Sequence, residues 1–224
     1  MEIIPNVHLI PGITANPYLL IDADGLTLID AGLPGSSKKI LRYMADLGYK
    51  PADLKRILIT HADFDHVGGL AALKSASGAR VYAHAIEAEA MAAGRPSRPL
   101  KPRNAFLKAV FALTGRMFRT RPFPVDERLT DGQVLPILGG LRVVETPGHT
   151  PGHISFYSPS AGILFVGDSL VSETTGLRGS RGANNWDLEK ANQAVRRQAA
   201  LGARIVCPGH GAVVTEAAGK FPQV

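Results

Sequence analysis

Apolar residues in this chain recur in short runs, and these runs alternate with stretches of helical spacing. Val7 to Ile10, Tyr18 to Ile21 and Leu26 to Asp30 are rich in Val, Ile and Leu, and Asp24-Gly25 joins the last two as a hairpin turn. Antiparallel strands are therefore predicted near the N-terminus. Ser36-Ser37 then precedes Lys38 to Leu47, where Ile40, Leu41, Met44 and Leu47 share one helical face and Gly48 supplies a stop. Further strands are predicted at Arg56 to Thr60, Arg80 to His84, Leu141 to Thr146, Ile154 to Tyr157, Ile163 to Val166 and Arg204 to Cys207. Helices are predicted at Gly69 to Ser77, Ile86 to Ala93 and Asp187 to Leu201. Ser169 to Asn185 reads as a long polar loop. Mixed elements in this order imply sheets covered by helices.

With 224 residues, 45% hydrophobic and 20% charged, the chain has enough apolar surface for one sizeable core and is too apolar to be disordered. No apolar run reaches bilayer length, and Met1-Glu-Ile-Ile-Pro5 has neither the basic opening nor the apolar stretch of a signal peptide, so a cytoplasmic protein is expected. Cys207 is the single cysteine and is read as a small core residue.

The net charge of +6 would by itself suggest an anionic partner, but its distribution changes that picture. Between Gly94 and Val125 lie eight basic residues and no acid, which leaves the rest of the chain at −2. Phe106, Leu107, Val110, Phe111, Leu113, Met117 and Phe118 are interleaved with those charges. The segment 94–125 is therefore expected to be an inserted, amphipathic helical segment, serving as a lid over a cleft or as a subunit contact in a homodimer.

Candidate chemistry collects where apolar strands end. The strand closing at Thr60 runs into His61-Ala-Asp63-Phe-Asp65-His66-Val-Gly-Gly69, with four potential metal ligands within six residues. Thr146-Pro-Gly-His149-Thr-Pro-Gly-His153, Phe165-Val-Gly-Asp168 and Val206-Cys-Pro-Gly-His210 repeat the arrangement, each with a glycine before the candidate ligand. Glycine lets the chain turn sharply, so that side chains at neighbouring strand ends point into one cleft.

In this order the segments resemble the metallo-β-lactamase superfamily of hydrolases, with the likeness running from about Asn16 to Gly211. The resemblance implies a four-layer αββα sandwich, a single domain with two divalent metal ions at one sheet edge. His61, Asp63 and His149 would hold the first ion, Asp65, His66 and His210 the second, and Asp168 would bridge them. A bridging hydroxide would be the nucleophile, and Asp65 would orient it and carry its proton. Asp63 stands where the family's motif has histidine, which makes iron or manganese competitive with zinc because a carboxylate favours harder ions. Asp30 matches a position that supports the metal ligands. His84 and His153, near the ligand segments, are candidates for the surrounding shell, and Arg178 and Arg181 for holding a substrate carboxylate or phosphate.

The leading expectation is hydrolysis of an ester, thioester or lactone of a small molecule. A phosphodiesterase or nuclease on the same site is the alternative, encouraged by the pI of about 9.6 but disfavoured by the aliphatic bulk of the basic segment. A diiron protein handling oxygen or nitric oxide is a third, motivated by Asp63.

Overall fold

The computed structural model describes residues 1–98, 122–174, 176–180 and 185–224. Most of the expected insertion, residues 99–121, and Arg181 lie outside these.

Fifteen strands and five α-helices are found among the described residues. The first sheet has seven strands in chain order: β1 (Glu2–Ile4), β2 (Val7–Leu9), β3 (Tyr18–Asp22), β4 (Gly25–Ile29), β5 (Leu54–Leu58), β6 (Arg80–His84) and β7 (Glu127–Leu129). β1 to β4 are antiparallel, and β4 to β7 are parallel. The second sheet has the order β15-β14-β11-β10-β9-β8, built from β8 (Val134–Leu135), β9 (Leu141–Glu145), β10 (Ile154–Ser158), β11 (Ile163–Gly167), β14 (Ile205–Pro208) and β15 (Val214–Thr215). The helices are α1 (Ser36–Asp46), α2 (Phe64–Val67), α3 (Leu70–Ser77), α4 (Ala85–Ala92) and α5 (Leu188–Ala199).

Alternation along the strands builds the layers. Leu19, Leu28, Ile57 and Ile59 face a core shared with Ile40 and Met44 of α1, Leu70 and Leu73 of α3 and Met91 of α4. Their neighbours Tyr18, Leu20, Ile29 and Leu58 face the other way, against Ile154, Phe156, Ile163 and Phe165 of the second sheet. On β11 the same alternation sends Leu164 and Val166 outward to Val195 of α5. Strands apolar on both faces are what a sheet covered on both sides requires. Helix, sheet, sheet and helix thus make the expected αββα sandwich.

The 169–185 segment differs from the sequence reading. Ser169 to Asn185 is not wholly loop: β12 (Leu170–Glu173) and β13 (Gly176–Gly179) pair as an antiparallel ribbon. Leu170 and Leu177 bury themselves against the α5 side, and these isolated apolar residues were too few to register as a strand pattern. The ends of the 94–125 segment also meet. The Arg95 N–H donates to Ala90 O at 3.1 Å and the Phe123 N–H to Met91 O at 2.9 Å, so both stems rise from the end of α4.

Candidate metal centre

Strand direction gathers the candidate ligands. β4, β5 and β6 run parallel, so Asp30, His61 and His84 emerge at one edge of the first sheet. In the second sheet β9 and β11 are each antiparallel to β10, and β14 is parallel to β11, so His149, Asp168 and His210 also leave at a shared edge. The Ile154 N–H donates to Thr60 O at 3.0 Å, joining the two sheets there.

Three ligand sets result: His61, Asp63 and His149; Asp65, His66 and His210; and His61, His66 and Asp168, the donor atoms within each set lying within 4.8 Å of one another. In the first set, Asp63 Oδ2 is 3.1 Å from His149 Nε2 and 3.7 Å from His61 Nε2. In the second, His210 Nε2 is 3.3 Å from Asp65 Oδ2. Asp168 reaches both, its Oδ2 being 3.7 Å from His149 Nε2 and 3.4 Å from His210 Nε2, and its Oδ1 3.2 Å from His66 Nε2.

These residues fit divalent ions. Two donors each about 2.1 Å from one ion at a tetrahedral angle stand about 3.4 Å apart, within the spread observed. His61 Nε2, His66 Nε2 and Asp168 Oδ1 are buried without a well-formed hydrogen bond, an arrangement too costly for polar atoms with no other partner to meet.

Supporting contacts aim the imidazoles. His66 Nδ1 lies 2.8 Å from Asp30 Oδ2, and the Thr60 hydroxyl donates to the same oxygen at 2.8 Å while standing 3.0 Å from His61 Nδ1. His149 Nδ1 is 3.3 Å from Ser180 Oγ. In all three rings Nδ1 is engaged and Nε2 is turned to the cluster. Asp30 itself adopts a left-handed conformation (φ 59°), which a short polar side chain tolerates when it is hydrogen-bonded as here to Thr60 and His66. Asp30→Asn should therefore weaken ion binding by the Asp65, His66, His210 set by about 10- to 100-fold, measured by chelator competition, since its amide would present a donor to the His66 N–H.

The carboxylates and imidazoles of the cluster shift one another's titration. Burial pushes His61 well below the ordinary imidazole value. His66 shifts the other way: burial opposes its charge, but Asp168 and Asp30 hold it well above. His210, hydrogen-bonded to Asp168 and Asp65, is raised to about 10. Burial works against the Asp63 and Asp168 carboxylates, yet the imidazoles hold both well below the carboxylate range.

At Gly209 the pre-ligand glycine is needed for close approach, because a Cβ there would stand 2.4 Å from Asp168 Oδ1. Gly167 combines a positive φ of 50° with contact, since its Cβ would meet His153 Nε2 at 2.7 Å.

The other sequence candidates fall into different places. His153 lies behind the ligands, its Nε2 accepting from the Asp168 N–H at 3.2 Å and its Nδ1 2.8 Å from Thr146 Oγ1; burial lowers its pKa to about 3. A neutral ring that accepts at Nε2 and donates at Nδ1 holds the backbone of Asp168. His84 is not gathered with the ligands: it caps α4 by accepting from the Ile86 N–H and pairs with Glu145 at 3.3 Å. Arg178 is paired with Glu173 and donates to Gly179 O, so it is engaged along the ribbon of β12 and β13. Cys207 is buried in the core between the sheets, where burial pushes its thiol well above the usual range, as expected of a packing residue.

Arg98 was missed as a site residue. Its Nη2 donates to Asp63 Oδ2 at 2.6 Å and lies 3.2 Å from His149 Nε2. Its sequence signal was diffuse, one of eight bases in a basic segment. Asp63 offered the better clue, since a carboxylate in an otherwise buried cluster calls for cations.

Comparison with known proteins gives a consistent family. The profile of the Metallo-beta-lactamase superfamily matches residues 10–210. A probable metallo-hydrolase of Bacillus subtilis (strain 168), YflN, is 26% identical over 96% of this chain and 87% of its own length. An atrochrysone carboxyl ACP thioesterase of Aspergillus fumigatus is 29% identical over 93% of this chain and 54% of that protein. A metallo-β-lactamase family protein of Thermus thermophilus superposes with a TM-score of 0.75 at 28% identity, covering 98% of this chain and 78% of that one.

Proposed function

We propose that this chain, which belongs to the metallo-β-lactamase superfamily and is a metal-dependent hydrolase, cleaves an ester, thioester or lactone at a two-ion centre. One observation carries the reading: two three-residue ligand sets flank a single carboxylate, Asp168, that reaches both. His61, Asp63 and His149 would hold one ion and Asp65, His66 and His210 the other. Divalent ions held there supply Lewis acidity, which lowers the pKa of water toward neutrality and polarises a carbonyl oxygen.

The chain's own groups do the rest. Asp65, with Oδ2 turned to His210, keeps Oδ1 to accept a proton from the attacking water and return it to the departing alkoxide or thiolate. Asp30 and Thr60 fix the rings of His66 and His61, so no reorientation is needed during the reaction. Zinc is the proposed native metal, with iron or manganese competing through Asp63. The described ends of the 94–125 segment meet at α4 and Arg98 touches Asp63, which supports a lid or a subunit contact for that segment beside the centre.

Thioesters are the favoured class within this reading, supported by the thioesterase named among the relatives. Protein purified without added metal should contain two ions per chain by elemental analysis and should turn over acyl thioesters faster than phosphodiesters. Turnover of phosphodiesters alone, with nucleic-acid binding that falls steeply with salt, would support the nuclease reading instead.

A further inference from the structure

Glu87 belongs to no ligand set and yet is fully buried on α4. Its two oxygens accept three hydrogen bonds from two loops, and the Ser97 hydroxyl also lies against the carboxylate. Oε2 accepts from the Ala62 N–H at 2.8 Å, and Oε1 accepts from the Thr150 hydroxyl and from the Gly152 N–H, both at 2.9 Å. Ala62 lies between His61 and Asp63, and Thr150 follows His149 directly. The residues beside all three members of the first ligand set are therefore tied to one carboxylate.

The second set has supports of its own, beside the His66 N–H that donates to Asp63 O at 2.9 Å. His66 rests on Asp30, and the turn before His210 is fixed by the Gly209 N–H donating to Gly167 O at 2.7 Å. The His149 loop packs closely enough on the start of α4 to require glycine, because a Cβ on Gly152 would stand 2.6 Å from His84 Nδ1, 2.9 Å from Ile86 Cβ and 3.0 Å from Glu87 Oε1. Burying a carboxylate is costly, and burial does raise the Glu87 pKa, so an apolar residue would serve packing alone better. What a carboxylate adds is two oxygens that only accept, matched to three donors from loops distant in sequence.

We propose that Glu87 is the positioning residue of the first ion's half-site: it sets the His61–Asp63 loop and the His149 loop at the separation one ion needs, while the Asp65, His66, His210 half-site keeps its own supports in Asp30 and the Gly209–Gly167 turn. This rests on the two-ion reading above.

Glu87→Gln tests it, because either orientation of the amide turns its NH2 toward a backbone N–H, of Ala62 or of Gly152, which then loses its acceptor. Stepwise chelator competition with Zn²⁺, and absorption titration with Co²⁺, would be run on the intact protein alongside its Tm. Expected is a 10- to 100-fold loss in one binding step, with the other step changed less than about twofold. Thr150→Val, which removes a single donor and preserves the shape, should weaken the same step by about three- to tenfold, and it carries the test if Glu87→Gln does not fold. Equal weakening of both steps, or no change in either, overturns the role of Glu87 while the wild type still binds two ions. A wild type that binds only one ion overturns the two-ion reading and this inference with it.

Discussion

His66→Ala and His210→Ala should each lower hydrolysis by at least about a thousandfold, roughly 4 kcal/mol of transition-state stabilisation, while leaving the fold intact. The size of the effect follows from the geometry. Each substitution removes an imidazole nitrogen from the Asp65, His66, His210 set and also a neighbour of the shared Asp168, at 3.2 Å for His66 and 3.4 Å for His210. The fold should survive because the three apolar layers do not depend on these rings; His210 lies at the surface end of its strand with its side chain 30% exposed. Turnover of an acyl thioester and far-ultraviolet circular dichroism of the purified variants check the two halves of the expectation, and elemental analysis counts the ions retained. A variant that keeps full activity with one ion would overturn the two-ion mechanism.

The second large effect concerns Asp63 and Arg98. From the sequence alone, a carboxylate in place of the family's histidine makes the first half-site more negative by one unit, and Asp63→His is then expected to shift metal content toward zinc and the pH–rate profile to lower pH. The structure changes that arithmetic. Arg98 donates to Asp63 Oδ2 at 2.6 Å, and the two side chains are only 11% and 17% exposed, so the carboxylate comes with its own cation. Asp63→His alone would leave the guanidinium partly buried, 3.2 Å from His149 Nε2 and without a counter-charge. Breaking such a pair costs about 3–5 kcal/mol, more than exchanging one ligand type for another.

Asp63→His should accordingly reduce metal content by about one ion and lower activity about a hundredfold or more. Asp63→His combined with Arg98→Met should recover most of both, and the shift toward zinc should appear only in the double variant. A double-mutant cycle on Zn²⁺ affinity measures the coupling, which is expected to exceed about 1.5 kcal/mol. Additive effects would show that Arg98 and Asp63 act independently.

Much of the centre was legible because its signals are local. His61, Asp63, Asp65 and His66 crowd six positions after an apolar strand, and the later ligands repeat the strand-glycine-ligand order. The sandwich was legible for a related reason: β3 and β11 are apolar at successive positions, as a sheet covered on both faces requires. Less was legible where the signal was short or mixed. β7, β8 and β15 are edge strands of two or three residues, and the ribbon of β12 and β13 buries only a few apolar side chains.

The sequence by itself determined the layer pattern and marked the candidate metal-ligand side chains, because periodicity and residue chemistry are written position by position. Only the tertiary structure decided which side chains meet. Glu87 is 25 residues from Ala62 and 63 from Thr150, and Arg98 is 35 from Asp63, yet each contact is made at hydrogen-bond distance. Such pairs depend on where the sandwich brings helix, loop and strand ends together. A glutamate on a short helix or an arginine among eight basic residues carries no local mark of that meeting, since the partner that gives it meaning is supplied by the packing of distant segments.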